Sequence, residues 1–152
     1  AANLSRYDYV LVDSPPALNI ISINILVAIR ELVIPIEPHP LSIMVLHRLF
    51  ETIARIQRLN PDLAVLGFLP TKVHHSSRLA ADMLLTLEER YPEVPLLPAV
   101  PLSVKGAEST AERTSVLQYM PKSSIAAAYR DVGAWLEDAV ETTGKPAMAV
   151  PR

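Results

Sequence analysis

Short, continuously apolar runs alternate along this chain with longer segments whose apolar residues recur every three to four positions, and few folds accept that alternation. The runs are Tyr9-Val10-Leu11-Val12, Leu32-Val33-Ile34-Pro35-Ile36 and Ala64-Val65-Leu66-Gly67-Phe68-Leu69. A weaker fourth, Val94 to Val100, is broken by Pro95 and Pro98, which cannot donate to a ladder. Continuous rather than alternating apolar strands belong to a sheet covered on both faces. Between the runs lie helical patterns. From Leu41 to Leu59, Leu46, Leu49, Phe50, Ile53 and Ile56 mark one face, and His47, Arg48, Glu51, Arg55 and Arg58 the other. Ser77 is placed to cap a helix that turns Leu79, Met83, Leu84 and Leu87 inward. Ser123 or Ser124 is placed to cap another, carrying Ile125, Ala128, Tyr129, Val132 and Leu136. Strand and helix in this order predict an α/β fold, a parallel sheet with flanking crossover helices. Ligands of such sheets bind beyond the C-terminal ends of the strands. Asp13, Glu37, Thr71 and Pro101 each follow a predicted strand and so share that edge.

A chain of 152 residues fits one domain and buries about 70% of its unfolded surface. Its net charge of −2 supplies no global attraction to nucleic acid or membrane, though local basic patches remain open. The absence of Cys excludes a disulfide framework and a thiolate metal site, and fits a reducing compartment. Ala1 to Arg6 lack the apolar core of a secretion signal. The longest apolar-rich stretch, Ala17 to Ile29, carries Asn19, Ser22 and Asn24 and falls short of the ~20 apolar residues that span a bilayer. It reads as a helix buried inside the protein. The segment 142–152 has no period and reads as a disordered tail.

The sharpest local feature is Tyr7-Asp8-Tyr9-Val10-Leu11-Val12-Asp13-Ser14-Pro15-Pro16. An acid at the end of an apolar strand is the Walker B arrangement, in which a rigid strand places a carboxylate beside Mg²⁺ and phosphate oxygens. One carboxylate suffices when water and nucleotide supply the other oxygens. On strand and acid alone, an Asp that merely starts a turn before Pro-Pro is the commoner reading. His47 with Glu51, and His74-His75, have too few converging partners for a metal site and read as surface groups. No Gly-x-Ser-x-Gly elbow supports hydrolase nucleophile chemistry.

The whole string resembles the ParA-type partition ATPases, deviant-Walker members of the P-loop class. In that family a strand ending in Asp-x-Pro-Pro precedes a helix bearing an Asn and then a strand containing Ile-Pro. The counterparts here are Asp13-Ser14-Pro15-Pro16, then Ile23-Asn24-Ile25-Leu26-Val27-Ala28, then Val33-Ile34-Pro35-Ile36. MinD-type relatives usually carry Pro-Ala-Gly after the Asp, so Pro15-Pro16 favours the ParA side. The resemblance continues through Leu59-Asn60-Pro61-Asp62, Leu69-Pro70-Thr71, Val100-Pro101, Ala107-Glu108-Ser109 and Tyr119-Met120-Pro121-Lys122-Ser123-Ser124 to Ala127-Ala128-Tyr129. It covers about residues 7 to 140. Two loops depart from the pattern: Glu37-Pro38-His39-Pro40-Leu41-Ser42-Ile43, and Arg113-Thr114-Ser115 where the family usually has Gly-x-Pro.

The resemblance implies a partial P-loop NTPase (deviant Walker) fold, with residues 1–141 as the C-terminal portion of a ParA-like ATPase domain. It implies ATP with Mg as cofactors, Asp13 as catalytic and metal-binding residue, and Thr71, Lys72, Pro101 and Leu102 beside the nucleotide base. It further implies a homodimer formed on ATP binding, non-specific DNA binding, a ParB-like partner, no membrane, and a cytoplasmic, nucleoid-associated location for a protein that partitions plasmid or chromosomal DNA. Of the basic set Lys72, Arg78, Lys105, Arg113, Lys122 and Arg130, it favours Lys105 as a loop residue touching DNA, then Arg78 and Lys122; ordinary surface charge is the alternative. The family's phosphate loop needs glycines and lysines before a helix. Gly67, Gly106, Gly133 and Gly144 do not supply that pattern, so the chain is expected to be a fragment, truncated product or part of a longer protein, inactive alone. The alternatives are a non-catalytic module that pairs with protein or DNA, and a related ATPase that positions other cargo.

Overall fold

A computed structural model of the chain describes residues 6–74 and 76–142; beyond Thr142 the expected tail lies outside the described residues. The elements are α1 (Ile20–Ala28), β1 (Glu31–Ile36), α2 (Pro40–Ile56), β2 (Ala64–Pro70), α3 (Arg78–Arg90), α4 (Val104–Ala111), α5 (Val116–Tyr119) and α6 (Ser124–Thr142). The fold is α/β, a parallel sheet with flanking helices. β1 and β2 pair in parallel from Glu31 opposite Ala64 to Ile36 opposite Pro70, with one register irregularity between Leu32 and Val33. Pro35 is tolerated inside β1 because, among the described residues, the strand pairs along one side only and stands at a sheet edge.

The fourth run extends the ladder beyond β2 without becoming a regular strand. Phe68 N–H donates to Pro95 O (2.9 Å), Leu97 N–H to Phe68 O (2.8 Å), Val100 N–H to Pro70 O (2.8 Å) and Val73 N–H to Val100 O (3.1 Å). Pro95 and Pro98 remove donors from this segment, which leaves isolated parallel bridges, Phe68 to Leu96 and Val73 to Pro101.

Each face of the sheet has its own core. On one, Ile34, Ile36, Val65 and Phe68 meet Leu26 of α1, Ile43, Leu46, Phe50 and Ile53 of α2, and Leu87 of α3. Its centre is an aromatic group: Phe50 stacks on Tyr91 (4.8 Å between ring centroids), and Phe68 meets both edge-on at 6.1 and 5.6 Å. Fully burying a side chain such as Phe68 is worth about 1.5–3 kcal/mol. On the other face, Leu97, Val100, Val116, Ile125 and Val132 pack with Val33, Leu69, Trp135 and Leu136. The periodic face read over 41–59 is therefore the face α2 buries. Ser77 caps α3 by accepting from Ala80 N–H (3.2 Å), and Ser123 caps α6 by accepting from Ala126 N–H (3.3 Å).

Three expectations are corrected. Leu79 of α3 and Tyr129 of α6, read as inward-facing, are exposed. Residues 9–12 form no strand; Tyr9, Val10, Leu11 and Val12 are exposed, Leu11 at 90%. A strand exists only through a neighbour's hydrogen bonds, and no described segment pairs with this one. The helix expected to be buried, α1, buries only Ser22 and Leu26, while Leu18, Ile20, Ile21 and Val27 are exposed. A helix apolar around its whole circumference needs cover on every side, and the described elements cover one. Among the described residues, no helix is long and apolar enough to cross a membrane.

Asn60 ties α1 to the turn before β2. Its Nδ2 donates to Leu26 O (3.0 Å) and Ile29 O (2.6 Å), two carbonyls at the helix end. Asn60→Ala is expected to cost about 2 kcal/mol, a fall of roughly 4–8 °C in Tm. Asn60→Asp keeps the shape and loses the donors, so it should behave like Asn60→Ala. Thermal melts that leave both variants at the wild-type Tm would show that the clamp stabilises nothing.

Candidate functional site at the C-terminal edge of the sheet

Three chain segments leave the sheet at one edge: Glu37 after β1, Thr71-Lys72 after β2, and Pro101-Leu102 after the broken third strand. Backbone hydrogen bonds fix their spacing. Thr71 N–H donates to Ile36 O (2.8 Å), and Leu102 N–H donates to Val73 O (3.1 Å). The four residues expected beside a nucleotide base, Thr71, Lys72, Pro101 and Leu102, therefore lie in adjoining loops. Pro101 is buried and Thr71 half-buried, whereas Leu102 stays 51% exposed. Such a surface has backbone polar groups and apolar faces together, the chemistry that reads the edge and plane of a purine.

The sequence did not reveal how Glu37 and Lys72 meet. Lys72 Nζ lies 3.2 Å from Glu37 Oε2, an exposed ion pair bridging the loops after β1 and β2. Lys72 holds φ = 52°, in the left-handed region that costs a non-glycine residue about 1–2 kcal/mol. Arg113 holds φ = 54°, which explains why glycine suits the position that this chain fills with arginine.

Asp13 is exposed, in an irregular segment rather than at a strand end. The turn that follows is organised. Asn19 caps α1 through Oδ1, accepting from Ile21 N–H (2.9 Å) and Ser22 N–H (3.2 Å). The buried Ser22 Oγ donates to Ala17 O (2.6 Å), so Pro15-Pro16-Ala17 is held against the helix it precedes. Asn19 and Ser22, two of the three polar residues in that apolar stretch, are thus the fastening of the turn.

The basic candidates sit on separate elements. Arg78 is the exposed first residue of α3, and Lys122 is exposed in the turn between α5 and α6. Lys105 was expected in a loop; it lies in the first turn of α4, because Ser103 caps the helix and nothing from Val104 to Ala111 breaks it. An ammonium there opposes the helix dipole, and Glu108 offsets it with Oε2 2.8 Å from Lys105 Nζ. Their hydrogen bond raises the Lys105 pKa above and lowers the Glu108 pKa below the ordinary values. Tyr119 OH donates to the same Glu108 oxygen (3.4 Å). Arg130 donates through Nη2 to Pro121 O (2.8 Å), which occupies it in the turn before α6. His47 Nε2 lies 3.4 Å from Glu51 Oε1 on the exposed face of α2, and among the described residues no three metal-ligating side chains cluster.

A parallel α/β sheet with helices on both faces and loops gathered at the strands' C-terminal edge is the architecture of P-loop NTPases. A family described as an AAA domain matches residues 2–65. The chain is 30% identical over 125 residues to the chromosome-partitioning ATPase Soj of Thermus thermophilus, covering 82% of this chain and 50% of that protein. It is 28% identical over 128 residues to the sporulation initiation inhibitor protein Soj of Bacillus subtilis, covering 84% and 51%. Among solved structures, apo McdA of Cyanothece superposes with a TM-score of 0.75 at 24% identity, over 88% of this chain and 55% of that one, a likeness of fold. Cobyrinic acid a,c-diamide synthase of Mycobacterium smegmatis, with bound ATP analog and magnesium, superposes with a TM-score of 0.68 at 29% identity, over 91% and 51%. By sequence and fold, the chain is similar to the ParA/MinD-type P-loop ATPases. It spans about half the length of the curated relatives it matches.

Proposed function

We propose that this chain is the base-binding and metal-binding part of a ParA-like ATPase that partitions DNA. The observation that carries this reading is the meeting of Thr71-Lys72 with Pro101-Leu102 at the C-terminal sheet edge, in a chain whose sequence follows the ParA pattern. Thr71, Lys72, Pro101 and Leu102 would border the adenine. Asp13 would hold hydrated Mg²⁺; a single exposed carboxylate fits an ion that keeps several waters and takes its other oxygens from phosphate. When bound, Mg-ATP supplies the phosphoryl group that water attacks. The phosphate cradle needs a glycine-rich loop, and none of this chain's glycines stands in such a pattern. In the whole protein, ATP binding would join two copies, expose a basic surface to DNA without regard to sequence, and end in hydrolysis stimulated by a ParB-like partner. A protein of this kind works in the cytoplasm, on the nucleoid.

Lys105, with Arg78 and Lys122 behind it, is the proposed DNA contact. A phosphate contact positions without specifying, so Lys105→Ala should weaken binding of the ATP-loaded whole protein to every duplex alike. It should also reduce the slope of log affinity against log salt by about one unit. Anisotropy of labelled duplexes across a salt series measures both quantities. Unchanged affinity and slope would return Lys105 to ordinary surface charge, and a sequence-selective loss would contradict the non-specific mode.

A further inference from the structure

We propose that Glu108 is an electrostatic brake on the phosphate contact of Lys105. In the free protein its carboxylate occupies the ammonium, and duplex phosphate must displace it. The inference rests on the DNA-binding reading above and adds a residue that sets its strength. Three observations carry it. Lys105 Nζ and Glu108 Oε2 are 2.8 Å apart, one turn from each other on α4. The carboxylate is held from a second element, because Tyr119 OH on α5 donates to the same oxygen at 3.4 Å. The side chains of Lys105 and Glu108 keep 45% and 38% of their exposure, so a duplex can reach both.

The consequence is an exchange rather than an addition. A phosphate that approaches Lys105 gains its attraction only after the existing pair is broken. It also meets the Glu108 carboxylate well inside one Debye length, about 8 Å at physiological salt. Neutralising Glu108 removes both penalties at once. The substitution Glu108→Gln suits this, since its amide oxygen still accepts from Tyr119 and keeps α4 joined to α5. Glu112 lies exposed at the C-terminal end of the same helix, so Glu112→Gln changes the net charge equally without touching Lys105.

The test is duplex binding by the whole protein carrying this chain, loaded with Mg-ATP, read by fluorescence anisotropy at several salt concentrations. Glu108→Gln should tighten binding about three- to tenfold, and more at low salt. Tyr119→Phe, which frees the carboxylate from α5, should give a smaller gain. Glu112→Gln should stay within about twofold of wild type, and Lys105→Ala should abolish the gain from Glu108→Gln when the two are combined. Equal gains from Glu108→Gln and Glu112→Gln would reduce the effect to net charge and overturn the brake. A gain that survives Lys105→Ala, or no gain at all, would do the same. If wild type bound duplex normally and only these variants failed, the DNA reading would stand and the brake alone would fall. If ATP-loaded wild type bound no duplex, both would fall.

Discussion

Gly67→Ala is expected to lower stability by about 3 kcal/mol, a fall of roughly 6–12 °C in Tm, with Gly133→Ala moving the other way. A Cβ at Gly67 meets Leu97 Cδ1 and lies 2.6 Å from Pro95 O. That carbonyl accepts from Phe68 N–H at 2.9 Å, so it cannot retreat without breaking the link between β2 and the 95–102 segment. The clash is therefore with backbone, where relaxation is expensive. The same segment ends in Pro101-Leu102, so displacement should also disturb the proposed base loops. Gly133 is the contrasting case. It lies inside α6, a Cβ there meets nothing within 4 Å, and alanine should stabilise by about 0.5–1 kcal/mol. Differential scanning calorimetry on the two variants gives the signs directly. A Gly67→Ala variant as stable as wild type would show that β2 and the 95–102 segment are not packed this closely.

The proposed metal role of Asp13 predicts that Asp13→Ala cuts ATP turnover of the whole protein by about 100-fold or more while the Tm stays near wild type. Asp13 is exposed, so its carboxylate makes no packing contribution whose loss would unfold the chain. Asp13→Asn should be nearly as damaging, because a neutral amide keeps the shape but loses the charge that orders hydrated Mg²⁺. Asp8→Ala, five residues earlier and also exposed, should leave turnover within about twofold. Steady-state turnover at saturating Mg-ATP separates these cases. Wild-type rates for Asp13→Ala would make Asp13 a turn residue before Pro15-Pro16 and nothing more.

The sequence was readable where a local pattern decides the outcome. The apolar period of α2, the serine caps of α3 and α6, and the continuous apolar runs of β1 and β2 each specify an element through neighbours in the chain. It was unreadable where the decision is made elsewhere in the fold. Tyr9 to Val12 have strand composition, yet a strand needs a partner, and composition does not say whether one is present. The resemblance set Lys105 in a loop; its helical state follows from the Ser103 cap and a proline-free run behind it. Of the candidate site, the edge positions of Glu37, Thr71 and Pro101 were legible, since strand ends in a parallel sheet share an edge, whereas Asp13, read at the same edge, follows no strand among the described residues. The Glu37–Lys72 pair was not, because residues 35 apart in sequence meet only once the register of β1 on β2 is set. Asn60 stood in a readable Asn-Pro-Asp turn, but its reach to Leu26 and Ile29 depends on where α1 ends.

The proposed function puts a nucleotide base against two loops of this chain and its metal beside Asp13. A crystal structure of the whole protein with Mg²⁺ and a non-hydrolysable ATP analogue tests it most directly. The adenine is expected in contact with Thr71-Lys72 and Pro101-Leu102, the phosphates on a glycine-rich loop contributed from outside these residues, and Mg²⁺ held through water by the Asp13 carboxylate. A base lodged far from both loops, or a metal with no path to Asp13, would contradict it.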